Sequence, residues 1–202
     1  MKVSYAITAH NEAAELKALL SHLVAYKHDD DEIVVQLDTT ATNEVKDVVL
    51  EFEVKVIHFP LNNDFAAFKN NLKNHCTGNY IFQIDADEIP SVFLLESLHD
   101  ILNSNPTVDM ILVPRINTVS DITPEHIQMW NWKVNELGWI NFPDYQWRIY
   151  RNVGKITWVN KVHERLVGFT THSALPGMEE YCLSHHKTIE RQEKQNNFYN
   201  TL

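Results

Sequence analysis

Three carboxylates lie within four residues near the middle of the chain, at Asp85, Asp87 and Glu88. They follow residues 80–84, a mostly apolar run that is typical of a buried strand. Carboxylates crowded at a strand end repel one another, and a divalent cation relieves that repulsion while leaving positions open for a phosphate-bearing substrate. The pattern therefore indicates a metal-nucleotide site. The alternative is a strand end whose side chains simply cap the next helix.

A second acidic run, residues 29–31, also fits an Asp-x-Asp pattern. No strand pattern precedes it, and it lies within the polar run of residues 28–32. We therefore expect a solvated acidic loop there, without a role in chemistry.

The composition limits the class of protein. The 202 residues are 44% hydrophobic and 22% charged, which fits one soluble domain with a sizeable core. A net charge of -10 argues against a nucleic-acid binder, because neutralising many phosphates requires a basic surface. Cys76 and Cys182 lack Cys-x-x-Cys spacing, so we expect both to be reduced and structural.

No apolar stretch approaches the roughly 20 residues that a membrane-spanning helix needs. Residues 1–7 run directly into a strand pattern without a signal-peptide cleavage site. From the sequence we therefore expect no transmembrane segment and a cytoplasmic location.

Strand and helix patterns alternate through the first 113 residues. We predict strands at residues 2–8, 32–38, 54–58, 80–85 and 108–113, and later at 145–150, 155–159, 162–167 and 181–183. We predict helices over residues 13–24, 45–52, 65–72, 91–102 and 188–202. Asp64 is placed to cap the third helix, and residues 90–91 are placed to start the fourth.

This order predicts an α/β fold with a mostly parallel sheet, made mixed by antiparallel pairing of the later strands. Ligand sites in such sheets lie at the carboxyl ends of the strands, where Asp38 and residues 85–88 fall. Residues 114–143 contain three tryptophans without a clear period, and 170–180 are loop-like. The former is where a substrate-facing excursion could lie. We find no domain linker and treat residues 1–202 as one domain.

Four stretches occur in an order that resembles the family-2 glycosyltransferases of the GT-A fold, which transfer a sugar from a nucleotide diphosphate to an acceptor. They are residues 8–12 (TAHNE), 34–39 (VVQLDT), 65–70 (FAAFKN) and 76–88 (CTGNYIFQIDADE). The last is the most specific. The chain departs from the family pattern at Lys69, where members usually have arginine, and after Asp38, where a glycine and a serine are common.

The resemblance continues into the second half of the chain. Residues 147–151 (WRIYR) and 158–166 (WVNKVHERL) resemble an arginine-rich strand and a His-Glu segment of one branch of that family. Residues 183–186 (LSHH) resemble its C-terminal metal-binding histidine segment, with His185 the better aligned of the two histidines. Residues 114–143 have no clear counterpart.

The resemblance implies a GT-A (Rossmann-like) fold, with a mixed and mostly parallel central sheet flanked by helices. It implies a nucleotide-sugar-binding half at residues 1–113 and an acceptor-binding and catalytic half at 114–202. The implied activity is transfer of a hexose or deoxyhexose from a UDP- or dTDP-sugar to a hydroxyl of a glycan or other acceptor, with inversion. The implied cofactor is Mn²⁺, or Mg²⁺, and a histidine ligand favours Mn²⁺.

The resemblance also assigns roles to individual residues. Asp87 and His185 are the implied metal ligands, and Glu164 is the implied catalytic base. Asp38 is expected to read the N–H of uracil or thymine. The residues expected to bind the nucleotide sugar are Thr8, Asn11, Glu12, Asp38, Lys69, Asp85, Ala86 and Arg148.

Structural roles compete with these assignments. Glu164 could instead pair with a neighbouring arginine, His185 could be an ordinary core or surface histidine, and Lys69 could be solvated. Two other functions also remain open. A nucleotidyltransferase could use the same carboxylates, but would need a basic triphosphate-binding loop near the first strand. A non-catalytic carbohydrate-binding module would need aromatic residues without a metal cluster, and a chelator would not weaken its binding.

Overall fold

The computed structural model describes the chain from Met1 to Tyr199, and most elements predicted from the sequence are present in it. The strands are β1 (Val3–Ala9), β2 (Glu32–Asp38), β3 (Lys55–Phe59), β4 (Tyr80–Asp85), β5 (Glu88–Pro90), β6 (Met110–Ser120), β7 (Ile140–Arg151), β8 (Thr157–Val159), β9 (Arg165–Val167), β10 (His172–Ala174) and β11 (Leu183–Thr188). The helices are α1 (Ala13–Tyr26), α2 (Asn43–Leu50), α3 (Phe65–Asn74), α4 (Val92–Ser104), α5 (Pro124–Met129) and α6 (Ile189–Tyr199). Residues 200–202, to which the predicted last helix extended, lie outside the described residues.

One mixed sheet organises these elements, with the strand order β3-β2-β1-β4-β7-β6-β11-β5. Strands β1 to β4 pair in parallel, β7 is antiparallel to both of its neighbours, and β11 runs parallel to β6 but antiparallel to β5. β10 also pairs with β6, and β8 and β9 form a separate antiparallel hairpin. The predicted mixed, mostly parallel sheet with flanking helices is confirmed.

Other elements pack against both faces of the sheet. Because side chains alternate along each strand, successive residues enter one core or the other. In β1, Tyr5 and Ile7 join the core beneath α1, α2 and α4, while Ala6 joins a second core. That second core contains Leu72 of α3 and Trp158 of β8. The helices and the β8–β9 hairpin therefore hold the central strands rigidly from both sides.

Side-chain caps fix where α2, α3 and α4 begin, and Thr123 caps α5 in the same way. Thr42 accepts a hydrogen bond from the Val45 amide, Asp64 caps α3 and Ser91 caps α4. Each cap satisfies a backbone N–H that the first turn of the helix leaves without a partner. The predicted starts at Asp64 and Ser91 are confirmed.

The structure corrects the predicted excursion at residues 114–143. β6 continues to Ser120 and β7 begins at Ile140, so the segment between these two strands is only residues 121–139. β6 and β7 continue to pair beyond their apolar stretches, up to Asn117 opposite Ile140. Polar residues in this part of the ladder concealed the strands from a search for apolar runs.

Two smaller expectations about loops are wrong in part, although Asp29 and Asp30 of the acidic run are exposed as predicted. Residues 170–180, predicted as a loop, include β10, and the last strand is β11 instead of residues 181–183. Asp31 in the acidic run is buried, because its carboxylate accepts hydrogen bonds from the Val3 amide at 2.7 Å and contacts His99 Nε2 at 2.9 Å. It fixes the start of β1.

Cys76 and Cys182 are buried and form no disulfide, as the sequence predicts. Among the described residues, no helix is both long enough and apolar enough to cross a membrane.

Gly168 determines the conformation at the end of the β8–β9 hairpin. Its φ is +83°, and an added Cβ would lie 1.8 Å from the carbonyl oxygen of Lys155. Only glycine adopts this conformation beside that backbone at little cost. The segment that carries Glu164, between β8 and β9, therefore depends on this glycine.

We predict that Gly168→Ala destabilises the protein by about 2 kcal/mol or more and lowers the Tm by about 4–8 °C, because it combines positive-φ strain with a backbone clash. Gly154→Ala is the control, since a Cβ at Gly154 would meet nothing within 4 Å. Circular dichroism melting curves of the two variants measure the difference. Equal Tm values for both would contradict this account of the hairpin.

Candidate functional site

A cavity of about 500 Å³ lies at the carboxyl ends of β1, β2 and β4. Thr8 of β1 is in register with Asp85 of β4, so the parallel pairing itself brings these two ends together. Asn11, which was predicted to bind the nucleotide sugar, is exposed and does not line this cavity. The other predicted site residues all line it: Thr8, Glu12, Asp38, Lys69, Asp85, Ala86, Asp87, Arg148, Glu164 and His185.

A buried arginine neutralises two of the three clustered carboxylates. Arg148 on β7 donates from one guanidinium nitrogen to Asp85 Oδ2 at 2.6 Å and to Glu88 Oε1 at 2.5 Å. Arg115 on β6 donates to the same Glu88 oxygen at 2.8 Å and, at 2.7 Å, to Asp144. Asp85 and Glu88 are thus held in an ion network that spans four strands, β4, β5, β6 and β7.

This network controls the ionisation of Asp85. Burial alone would raise the pKa of the Asp85 carboxyl, but Arg148 and Lys69 hold that pKa well below its usual range. The pKa of Arg148 moves in the opposite direction: burial would lower it, and Asp85 and Glu88 raise it. Both partners therefore stay charged, which is the condition under which a buried ion pair is stable.

Lys69 links the carboxylate cluster to Glu164. Its Nζ lies 2.6 Å from Glu164 Oε1 and 3.8 Å from Asp85 Oδ1, and only 7% of its side chain is exposed. The ammonium also lies 4.7 Å from the centre of the Trp158 ring, a favourable cation–π distance. Lys69 is therefore not solvated, and Glu164 pairs with it instead of with the neighbouring arginines.

Asp87 and His185 meet although 98 positions separate them in the chain. The antiparallel pairing of β5 with β11 sets His185 opposite Glu88, which brings the His185 Nε2 atom to 3.3 Å from Asp87 Oδ2. The other ring nitrogen, Nδ1, contacts Asn117 Oδ1 at 2.7 Å. That second contact fixes the orientation of the ring, as is usual for histidines that bind metals.

The Asp87–His185 pair fits a divalent cation as two neighbouring ligands. Two ligand atoms at adjacent corners of one octahedral ion, each bonded at about 2.1 Å, lie about 3 Å apart. Among the described residues no group of three His, Cys, Asp or Glu side chains could hold a metal by itself. Phosphate oxygens and water would have to complete the coordination.

The pKa of Asp87 is lowered. Burial and the charge of Asp85 oppose this shift, but the hydrogen bond and charge of His185 outweigh them. Arg191 of α6 lies on the same side, with a guanidinium nitrogen 3.3 Å from Asp87 Oδ2, and the guanidinium also pairs with Glu15. A cation at Asp87 would therefore share this carboxylate with Arg191.

The hydrogen bonds of Asp38 are mostly used within the protein. Asp38 Oδ1 accepts from the amide and hydroxyl of Thr40, and Oδ2 accepts from the Leu61 amide at 2.7 Å. Burial would raise the pKa of Asp38, but these three bonds lower it. Since an ionised carboxylate can accept about four hydrogen bonds, about one position is left for a ligand.

Sequence reasoning missed several residues of the site. Arg115 and Lys187 line the cavity, and Arg191 reaches Asp87 from α6. The alternation of buried and exposed positions along β11 was a usable signal, since it turns both His185 and Lys187 inward. Nothing local in the sequence connects Arg191 to residues more than 100 positions away.

The sequence profile of Glycosyl transferase family 2 matches residues 4–166. A search of the curated proteins found no match.

Solved structures give the fold. Residues 1–349 of S. aureus TarS in complex with UDP-GlcNAc superpose with a TM-score of 0.66 at 15% identity, over 93% of this chain and 59% of that one. Another structure of TarS 1–349 gives a TM-score of 0.64 at 14% identity, over 92% and 60%. The chain thus spans about 60% of the length of these TarS 1–349 chains. The likeness confirms the predicted GT-A fold.

We predict that Arg148→Met destabilises the protein by about 3 kcal/mol, because Asp85 and Glu88 lose their shared partner inside the protein. Lys69 and Arg115 remain beside the two carboxylates. The loss of stability should therefore lie at the lower end of the range for a broken buried ion pair. Arg165→Met is the control, since Arg165 is exposed and its removal should change stability by less than about 0.5 kcal/mol. Urea unfolding measures both, and equal midpoints would contradict the proposed dependence on Arg148.

Proposed function

Because the chain belongs to glycosyl transferase family 2, as its motifs predicted, we propose that it transfers a hexose or deoxyhexose from a UDP- or dTDP-sugar to a hydroxyl group of a glycan or other acceptor. The transfer inverts the anomeric configuration. The observation that carries this proposal is the placement of the Asp87–His185 pair and the Lys69–Glu164 pair in one cavity. The Asp87–His185 pair can hold a cation for the leaving diphosphate. Glu164 of the other pair can take the proton of the incoming hydroxyl.

Residues 1–113 form the donor-binding half in this proposal, and 114–202 form the acceptor-binding and catalytic half. The donor's base lies against Asp38, whose remaining acceptor position takes the ring N–H that uracil and thymine share. Thr8, Glu12 and Ala86 line the same cavity as Asp38. A UDP-GlcNAc complex of the structurally similar TarS supports a uridine nucleotide as the first donor to test.

Asp87 and His185 would hold a divalent cation, Mn²⁺ in preference to Mg²⁺ because one ligand is a nitrogen atom. When bound, the cation neutralises charge on the leaving diphosphate. Lys69 and Arg148 line the same cavity, and their charges lower the pKa of Asp85.

Glu164 is the proposed general base. Lys69 orients its Oε1 atom through the 2.6 Å contact, and its Oε2 atom accepts no hydrogen bond from the described residues. That second oxygen can take the proton of an acceptor hydroxyl as the hydroxyl attacks the anomeric carbon. Asp144 is a weaker choice, because its oxygens already accept from Arg115, Asn117 and Gln146.

The β1–α1 loop argues against a nucleotidyltransferase. The Glu12 carboxylate accepts hydrogen bonds from the amides of His10 and Asn11, at 2.9 and 3.0 Å. A triphosphate-binding loop needs such amides, and positive charge, for the phosphates. Here an internal carboxylate takes the amides and adds a negative charge.

We predict that UDP raises the Tm in the presence of Mn²⁺ and loses this effect when a chelator is added, because a ligand that binds only the native state stabilises it. Asp87→Asn and His185→Ala should each raise the Mn²⁺ concentration needed for the UDP effect by about tenfold or more. Thermal unfolding across a Mn²⁺ series measures this dependence.

His186→Ala is the matched control for His185→Ala. His186 is the next residue on β11, but its ring contacts the hydroxyls of Thr118 and Ser120 outside the cavity. The proposed metal site is wrong if the two histidine variants have the same metal dependence.

We predict that Glu164→Gln lowers turnover by roughly 10²- to 10⁴-fold and leaves the affinity for the nucleotide sugar nearly unchanged, because a general base acts on the chemical step. Single-turnover kinetics with a UDP-sugar and calorimetric donor binding separate the two quantities. Glu136→Gln, on the exposed segment between β6 and β7, is the comparison variant. Near-normal turnover of Glu164→Gln, or a product with the donor's anomeric configuration, would refute the role of Glu164.

A further inference from the structure

Two smaller cavities extend from the main one toward the segment between β6 and β7. The first outer cavity, of about 200 Å³, shares Arg115, His185 and Lys187 with the main cavity and is also lined by Trp132 and Asn141. The second outer cavity, of about 480 Å³, shares Asn141 with the first. The three cavities therefore adjoin one another through shared lining residues, and we call this succession of cavities the track.

Tryptophan side chains follow this track. Trp147 and Trp158 line the main cavity, Trp132 lines the first outer cavity and Trp139 lines the second. These are four of the five tryptophans in the chain. The fifth, Trp130, lies with its ring centre 4.7 Å from that of Trp132. Trp158 belongs to the second core and Trp147 packs against it, whereas Trp132 and Trp139 belong to neither core. The two outer tryptophans are therefore the ones that point to a ligand.

The polar groups of the track define what that ligand can be. Asn141 lines both outer cavities, and Asn117 and Lys133 each line one. In the part of the chain that the structure describes, no aspartate or glutamate lines either outer cavity, although the net charge of the protein is -10. Amides with large aromatic faces suit a molecule with apolar ring faces and a rim of hydroxyl groups.

The aromatic platform is fixed before any ligand arrives. Trp130 lies between Trp132 and the ring of His126, which stacks on it at 5.2 Å, and the Thr123 cap holds His126 at the start of α5. The Lys133 amide donates to Asn141 Oδ1 at 2.9 Å, and the Asn141 amide donates to the Lys133 carbonyl at 2.7 Å. A preorganised surface of this kind loses little entropy when it binds.

We propose that the two outer cavities bind a saccharide chain, with one sugar ring stacked on Trp132 and the next residues running toward Trp139. The inference rests on the proposed function, because the chain's terminal hydroxyl then points along the track into the main cavity. It adds to that function a class of acceptor, an oligosaccharide instead of a single small alcohol, and the residues that recognise it. An aromatic surface could instead bind a second protein, and the experiment distinguishes a saccharide from a protein.

The test titrates the full chain with four probes: maltohexaose, chitohexaose, mannohexaose and hexagalacturonate. Saturation-transfer NMR detects binding, and the dissociation constant is measured for Trp132→Ala, Trp132→Phe and Phe93→Ala. Phe93 is the matched control, an exposed aromatic residue on α4 that lines none of the three cavities. The same samples are melted with UDP and Mn²⁺ to show that each variant is folded and to measure donor binding independently.

We expect at least one hexasaccharide to bind. Trp132→Ala should weaken that binding about tenfold, because it removes one stacking contact, whereas Trp132→Phe and Phe93→Ala should change it by less than about threefold. The inference is overturned if no hexasaccharide binds, if Trp132→Ala binds normally, or if Phe93→Ala weakens binding equally. It is also overturned if sedimentation shows that Trp132 holds two copies of the chain together.

The donor measurement separates this inference from the proposed function. A normal UDP response without saccharide binding overturns only the saccharide track. Saccharide binding that depends on Trp132, in a protein with no UDP response, supports the track and overturns the proposed transfer.

Discussion

The site depends on one buried interaction, the contact of Arg148 with Asp85 and Glu88. Three carboxylates at the end of a central strand would repel one another, and antiparallel β7 brings a guanidinium against two of them. Because Arg148 is nearly inaccessible to water, its charge is poorly screened and lowers the pKa of Asp85. Asp87, the third carboxylate of the cluster, contacts His185 of β11 instead of an arginine of the sheet. The network thus determines which carboxylate is available to a ligand.

Strand β11 brings further side chains to the same site from the C-terminal part of the chain. It pairs with β6 on one side and with β5 on the other, and its burial alternates residue by residue. This alternation turns His185 and Lys187 into the cavity and His186 out of it, toward Thr118 and Ser120. A shift of one residue in the register would exchange the two histidines, so the pairing of β11 is as important to the site as the identity of its residues.

The sequence was sufficient for elements that local patterns determine, and insufficient where distant segments decide. The second predicted strand, residues 32–38, coincides with β2, and the Asp64 cap was correct because both follow from neighbouring residues. The extension of β6 follows from pairing with β7 up to Asn117 and with β11 up to Ser120, which no apolar periodicity records. The contacts of Lys69 with Glu164 and of Arg191 with Asp87 join segments far apart in the chain, so only the fold could identify them. Asn11 lies in a stretch that resembles a motif of the family, so the sequence assigned it to the site. In the fold it does not line the cavity.

The charge inside the main cavity bears directly on how a diphosphate could bind there. Five carboxylates line the cavity, and four lysine and arginine side chains oppose them. Most of these cations are already paired: Arg148 and Arg115 with the buried network, and Lys69 with Glu164. A nucleotide diphosphate therefore enters a cavity with no surplus of positive charge, in a protein whose net charge is -10. Electrostatics alone would resist its binding unless a further cation accompanies it. This balance is an argument for metal-dependent donor binding that is independent of the family, since it follows from the lining residues and their partners.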